Sequence, residues 1–153
     1  MQKTYFAAEK IKVLRGCTND VIDYIEDASI DIAYIDGDHT LRGITNDLIK
    51  LFPKIKEGGY IGGDDFIENP WQHGKAYEPT LVYPYAVYFS EAMDLPISAL
   101  PHNQFILYKK SSEKFEFKGW NNRYNNLSLK NSLIIKQKSP MKVLREKIAQ
   151  YLR

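Results

Sequence analysis

Cysteine is nearly absent: Cys17 stands alone in 153 residues, so no disulfide can form within the chain. Long apolar runs are missing too, because Pro or a charge breaks each stretch well short of the roughly 20 residues that cross a bilayer. The first ten residues, Met1 to Lys10, lack the apolar core of a secretory signal. A soluble, cytoplasmic protein is the expectation. Nine Gly and seven Pro are too few for a collagen-like or low-complexity chain, and 44% hydrophobic residues exclude intrinsic disorder. What remains has the length of one globular domain, enough to bury roughly two-thirds of its unfolded surface.

Charge is unevenly spread beneath a net +2. Through Tyr108 there are nine Lys/Arg against sixteen Asp/Glu, and from Lys109 onward twelve against three. The acidic body gives no strong nucleic-acid signal, since phosphate contacts need clustered basic residues. Only the basic tail could meet a polyanion or an anionic membrane, and the favoured reading of that tail is a helix packing its apolar side.

The apolar pattern predicts alternating strands and helices. Ile11 to Leu14 reads as a strand, Gly16-Cys17-Thr18 as a turn, and Val21 to Ile25 as a helix capped by Thr18 or Asn19. Ser29 to Ile35 is a second strand, apolar enough after Asp31 to be covered on both faces. Leu41, Ile44, Leu48, Leu51 and Ile55 have helical spacing, with Pro53 near the stop and Gly58-Gly59 as the return into a third strand at Tyr60 to Gly63. Phe66 to Pro79, with Trp71, His73 and Tyr77, reads as a loop, and Thr80 to Met93 as a helix. Ile97 to Leu100 and Gln104 to Tyr108 are strands at hairpin distance. Ser139-Pro140 caps a last amphipathic helix bearing Met141, Leu144, Ile148, Tyr151 and Leu152. The expected fold is α/β, a Rossmann-like, mostly parallel sheet with an antiparallel last strand and a C-terminal helical tail. The domain occupies 1–110 and the basic extension 111–153.

Two strands end in acid, one at Asp36-Gly37-Asp38-His39 and the other at Asp64-Asp65. Ligands of open α/β sheets bind at such carboxyl ends. Neighbouring parallel strands lie ~4.8 Å apart, so Asp36 with Asp64 or Asp65 could share a hard cation such as Mg²⁺. His39 is the alternative centre, a general base with a free pKa near neutrality. The same residues also suit a plain solvated turn, with Asp38 capping the next helix.

The run Ile32 to His39, followed by Asn46-Asp47-Leu48, Pro53, Gly58-Gly59-Tyr60-Ile61 and Asp64-Asp65, resembles the latter half of class I S-adenosylmethionine-dependent methyltransferases. It is most similar to the branch whose fourth strand ends in Asp-Gly-Asp-His, over about Ile11 to Lys110. The resemblance makes Ile11 to Leu14 the third strand, Ile30 to Ile35 the fourth and Tyr60 to Gly63 the fifth, with the last pair sixth and seventh. It implies S-adenosylmethionine as cofactor, bound by Gly16, Cys17, Thr18, Asp36 and Gly37. It implies Asp36, Asp38 and His39 as catalytic residues, and Asp36, Asp64 and Asp65 as ligands wherever Mg²⁺ takes part. The implied reaction is O-methylation of a sugar or small-molecule hydroxyl.

The pattern departs from complete members of that family at its start. No Gly-x-Gly occurs in the first ten residues, and two strand-helix units do not fit before Ile11. A fold truncated at its N-terminus is therefore expected, completed by a second copy or a complementary subunit. The other readings are an inactive binding or assembly module and, last, a metallophosphoesterase fragment. The latter needs Gly-Asn-His and Gly-His contexts that His73 and His102 do not have.

Overall fold

A computed structural model describes residues 10–67 and 80–120. The loop residues Trp71, His73 and Tyr77 and the tail helix expected from Ser139 lie outside the described residues. Along the chain come α1 (Thr18–Val21), β1 (Ile30–Ile35), α2 (Leu41–Leu51), β2 (Ile55–Gly63), α3 (Val82–Ala92), β3 (Pro96–Leu100), β4 (Gln104–Lys109) and β5 (Glu116–Lys118).

The strands form one sheet in the order β1-β2-β4-β3-β5. β1 and β2 pair in parallel, β4 runs antiparallel to both β2 and β3, and β5 is parallel to β3. Four of the five strands therefore share one direction, and the fold is a mixed, Rossmann-like α/β structure with β4 inserted against the grain. The antiparallel β3–β4 hairpin matches its expectation. β5, which weak patterning concealed, extends the sheet past residue 110.

Period-2 alternation sorts the side chains. Ala33 and Ile35 of β1, Ile61 of β2, Phe105 and Leu107 of β4, Ile97 and Ala99 of β3 and Phe117 of β5 pack with the helices. Against them α2 sets Ile44 and Leu48, and α3 sets Val82, Tyr83, Ala86 and Phe89. Their i, i+1, i+4, i+7 spacing places these four on one side of the helix. Pro84 is tolerated because it falls in the first turn of α3, where an N–H has no helical partner. Phe66 fills the centre, its ring 4.9 Å from Tyr83 and 5.2 Å from Phe105.

Four expectations need correction. Ile11 to Leu14 is not a strand: Ile11 and Val13 are exposed, with no strand beside them among the described residues. Among the described residues β1 is covered on one face, while Ile32 and Tyr34 project from the side away from the helices and are exposed. The third expected strand starts five residues early, at Ile55, because Pro53 opens a tight 3₁₀ turn that ends the helix. Gly58 then carries φ 81° inside β2, where the register with β1 shifts. This is a bulge, which a left-handed glycine accommodates without strain. The helix expected at Val21 to Ile25 shrinks to one α turn and a 3₁₀ turn over Ile22–Tyr24.

Lys109 secures the end of α2. Its Nζ donates to the carbonyls of Phe52 at 2.9 Å and Ile55 at 2.7 Å, and sits 4.4 Å from the Phe52 ring centre. Carbonyls at a helix end have no helical partner, and a cation satisfies them best.

Candidate active site at the carboxyl edge

Parallel pairing of β1 and β2, with Ile35 opposite Gly63, sets Asp36 and Asp64 as the next residues of adjacent strands. The Asp64 amide donates to the Ile35 carbonyl at 3.2 Å, tying the two turns together. Asp65 is held harder. It has φ 57°, its amide donates to Asp64 Oδ1 at 2.8 Å, and its carbonyl accepts from the Ile67 amide and the Thr80 hydroxyl. A non-glycine residue in the left-handed region costs on the order of 1–3 kcal/mol, and such strain clusters at functional sites.

That backbone turns the Asp65 carboxylate onto the turn after β1. His39 Nδ1 lies 2.6 Å from Asp65 Oδ2. A carboxylate only accepts, so Nδ1 carries the proton and Nε2 holds the lone pair of the neutral ring. The His39 side chain retains 37% of its surface and the Asp65 side chain 18%. The His39 carbonyl accepts the Leu81 amide at 2.9 Å, anchoring the start of α3 to the same turn.

Asp38 is turned back into its own loop. Its Oδ1 accepts the Thr40 amide at 2.9 Å, and this bond, with help from the Thr40 hydroxyl, holds the carboxyl below the usual aspartate range. The expected capping role passes to Thr40, whose Oγ1 accepts the Gly43 amide at 3.1 Å. Gly43, unremarked in the sequence, is what allows Asp38 to fold down onto α2. A Cβ there would lie 2.2 Å from the Asp38 carbonyl oxygen and 2.5 Å from its Cβ and Cγ. No short motif advertises such a close approach.

Beside these turns a cleft of about 310 Å³ opens between the α1 turn, the end of β1 and α2. Gly16, Thr18, Ala33, Asp36, Gly37 and Asp47 are among its walls. Four of the five residues proposed for the cofactor thus share one cavity, of a size at the low end of small-molecule sites. Cys17, the fifth, is not in its lining; it is exposed and precedes α1, with its amide donating to Asp20 Oδ2 at 3.3 Å. Asp47 was not expected there. Its place on α2, about two turns past the Thr40 cap, brings its carboxylate near Gly37.

Residues 2–66 match a methyltransferase domain family. That match covers less than half of the chain, lies in its N-terminal part, and takes in both acidic turns and every cleft residue named above. It supports a methyltransferase-like domain. An uncharacterised protein of Acanthamoeba polyphaga mimivirus is 40% identical over 42 residues, a stretch that is 28% of this chain and 19% of the viral protein. The chain thus matches about a fifth of that relative's length.

The Mg²⁺ expectation is not met by the arrangement. Among the described residues no group of three His, Cys, Asp or Glu is disposed to hold a metal ion. Asp65 gives Oδ2 to His39 and Asp64 gives Oδ1 to the Asp65 amide, so the triad Asp36, Asp64 and Asp65 is not presented as a ligand set. Among the same residues no helix is long and apolar enough to cross a membrane.

Proposed function

We propose that this chain is a methyltransferase that uses S-adenosylmethionine to methylate a hydroxyl of a sugar or other small molecule, with His39 as the general base. The observation that carries the reading is that the turn after β1 supplies both Asp36 and Gly37 to a cleft shared with Gly16 and Thr18 and His39 to the pair with Asp65. The methyltransferase-domain match over residues 2–66 supports it.

The donor supplies an electrophilic methyl on a positively charged sulfur. Asp36 and Asp47 bring negative charge to the cleft, which suits a cationic ligand. Gly37 gives that ligand close access to the chain. His39 Nε2 takes the proton of the acceptor hydroxyl, and the imidazolium so formed is stabilised by Asp65 through Nδ1–H. The oxygen then attacks the methyl in line as the carbon–sulfur bond breaks, leaving a neutral thioether. Asp38 acts on this chemistry by shaping the turn.

Transfer of labelled methyl to a panel of sugar and catechol-like hydroxyls tests the proposal. Turnover by the full chain is expected, with a loss of about 10²–10⁴-fold in His39→Ala. A folded chain that transfers nothing, and binds no donor, would instead be a binding or assembly module.

A further inference from the structure

Among the described residues, helices pack on one face of the sheet only. On the other, cross-strand register sets Tyr34, Gly62, Ile106, Ser98 and Lys118 in one row from β1 to β5. A second row, two residues away along each strand, holds Ile32, Tyr60 and Tyr108, then Pro96 and Glu116. The rows are complementary in relief. In one the rings of Tyr60 and Tyr108 stack at 4.7 Å; in the other Gly62 leaves a dent, where an added Cβ would lie 3.5 Å from Tyr34 Cδ2. Ile32 is 71% exposed and Tyr34 55%. An apolar patch of this kind marks a contact surface.

The two ends of the face differ in charge. At one end stand Asp36 and Asp64: burial first, and then their negative charges, push up the pKa of the Tyr34 phenol. Asp65 and Asp38 at that end are turned to His39 and Thr40. At the other end three lysines meet three acids. Lys110 lies 5.8 Å from the Tyr108 ring centre and 3.7 Å from Glu113, Lys56 pairs with Asp31 at 2.8 Å, and Glu57 accepts from Ser111 in the field of Lys109 and Lys110. A second copy related by a two-fold axis along the strands would lay acid on acid, at a cost. With the axis across the strands, the acidic end lies on the balanced one.

We infer that a second copy of this chain covers the face, related by a two-fold axis that crosses the strands midway between the two rows. Such an interface must be self-complementary. The axis carries each residue of one row over its strand neighbour in the partner's other row. Tyr60 thereby enters the dent over the partner's Gly62, Ile32 meets the partner's Tyr34, and Tyr108 meets the partner's Ile106. At the β5 border Glu116 meets the partner's Lys118, an exchange of the ion pair that these residues make at 3.0 Å within one copy. Lys110 approaches the partner's Asp64. Sheets stacked face to face lie ~10 Å apart with strands within ~30° of aligned, an offset that long side chains span. The five strands outline ~24 Å by ~17 Å, a small area beside the ~800 Å² per partner of a standard interface. The dimer is therefore weak and depends on concentration.

Sedimentation equilibrium of the full chain, from micromolar to millimolar concentration, is the test. A reversible monomer–dimer equilibrium is expected. Ile32→Lys, at a position already exposed, should weaken dimerisation about tenfold or more with native circular dichroism. Glu116→Lys should weaken it too, by setting like charges across the interface. Combining Glu116→Lys with Lys118→Glu should restore it, and this exchange decides the question even if Ile32→Lys fails to fold. A chain that stays monomeric throughout, a dimer indifferent to a folded Ile32→Lys, or an exchange no better than the single reversal overturns the inference. None of these readings depends on methyl transfer.

Discussion

The His39 ring and the Asp65 carboxylate meet at 2.6 Å across the ends of two neighbouring parallel strands. The contact exists because β1 and β2 are in register to their last residues and because Asp65 accepts φ 57° to point back across them. It fixes the tautomer of the imidazole. In long-range ¹⁵N–¹H spectra of the full chain, neutral His39 should show a protonated Nδ1 and a bare Nε2. Asp65→Asn should move the population towards the Nε2–H form and lower methyl transfer at least tenfold. An unchanged tautomer would separate the two residues functionally.

Gly43 gives a stability prediction against helix propensity. Alanine is normally favoured over glycine inside a helix by about 1 kcal/mol. Here the added Cβ would meet the Asp38 backbone oxygen at 2.2 Å, which no side-chain rotation relieves. Gly43→Ala should therefore lose about 1–3 kcal/mol in urea unfolding, as overpacking does. Gain of stability would mean that the turn after β1 has room to move.

Lys109 offers a similar test away from the site. Lys109→Met keeps the stem over Phe52 but removes two donors to the Phe52 and Ile55 carbonyls. These groups are only partly buried, so the expected loss is about 1–3 kcal/mol. The unfolding midpoint in urea, at unchanged slope, measures it.

Among the described residues, three carboxyls are held low by their partners in the fold. Thr40 lowers Asp38, Ser111 lowers Glu57 through its amide and hydroxyl, and Lys114 with the Phe115 amide lowers Asp94. Each pKa is lower in the folded chain than in the unfolded one. Their contribution is thus complete above the unfolded values of 4.5 for Glu and 3.8 for Asp, and is lost as pH falls from there through the depressed folded values. Thermal midpoints should be flat from pH 7 to 5 and fall below about 4.5. Asp94→Asn should flatten the low-pH decline.

Most of the sheet was legible in the sequence because its information is local. The β1 and β2 runs end in acid at a turn, and the β3–β4 hairpin has its three-residue connection. The acidic turns converge for the same reason, since parallel neighbours must end side by side. What could not be read depends on distant partners. Ile11 to Leu14 has the composition of a strand, but a strand needs an edge to pair with. β1 has the apolar run of a doubly covered strand, but cover is supplied by other segments. At the site, the shared metal suggested by Asp36, Asp64 and Asp65 fails on direction: residue type and spacing say where carboxylates start, and only the left-handed turn at Asp65 says that its oxygen goes to His39. Asp38 shows the same limit, being spent on Thr40.

Titration of S-adenosylmethionine into the full chain by calorimetry tests the central claim most directly. Saturable one-to-one binding is expected, weakened at least tenfold by Asp36→Ala while circular dichroism stays native. No heat at millimolar donor, with the chain folded, would contradict the assignment of the Gly16, Thr18, Asp36 and Gly37 cleft to a methyl donor.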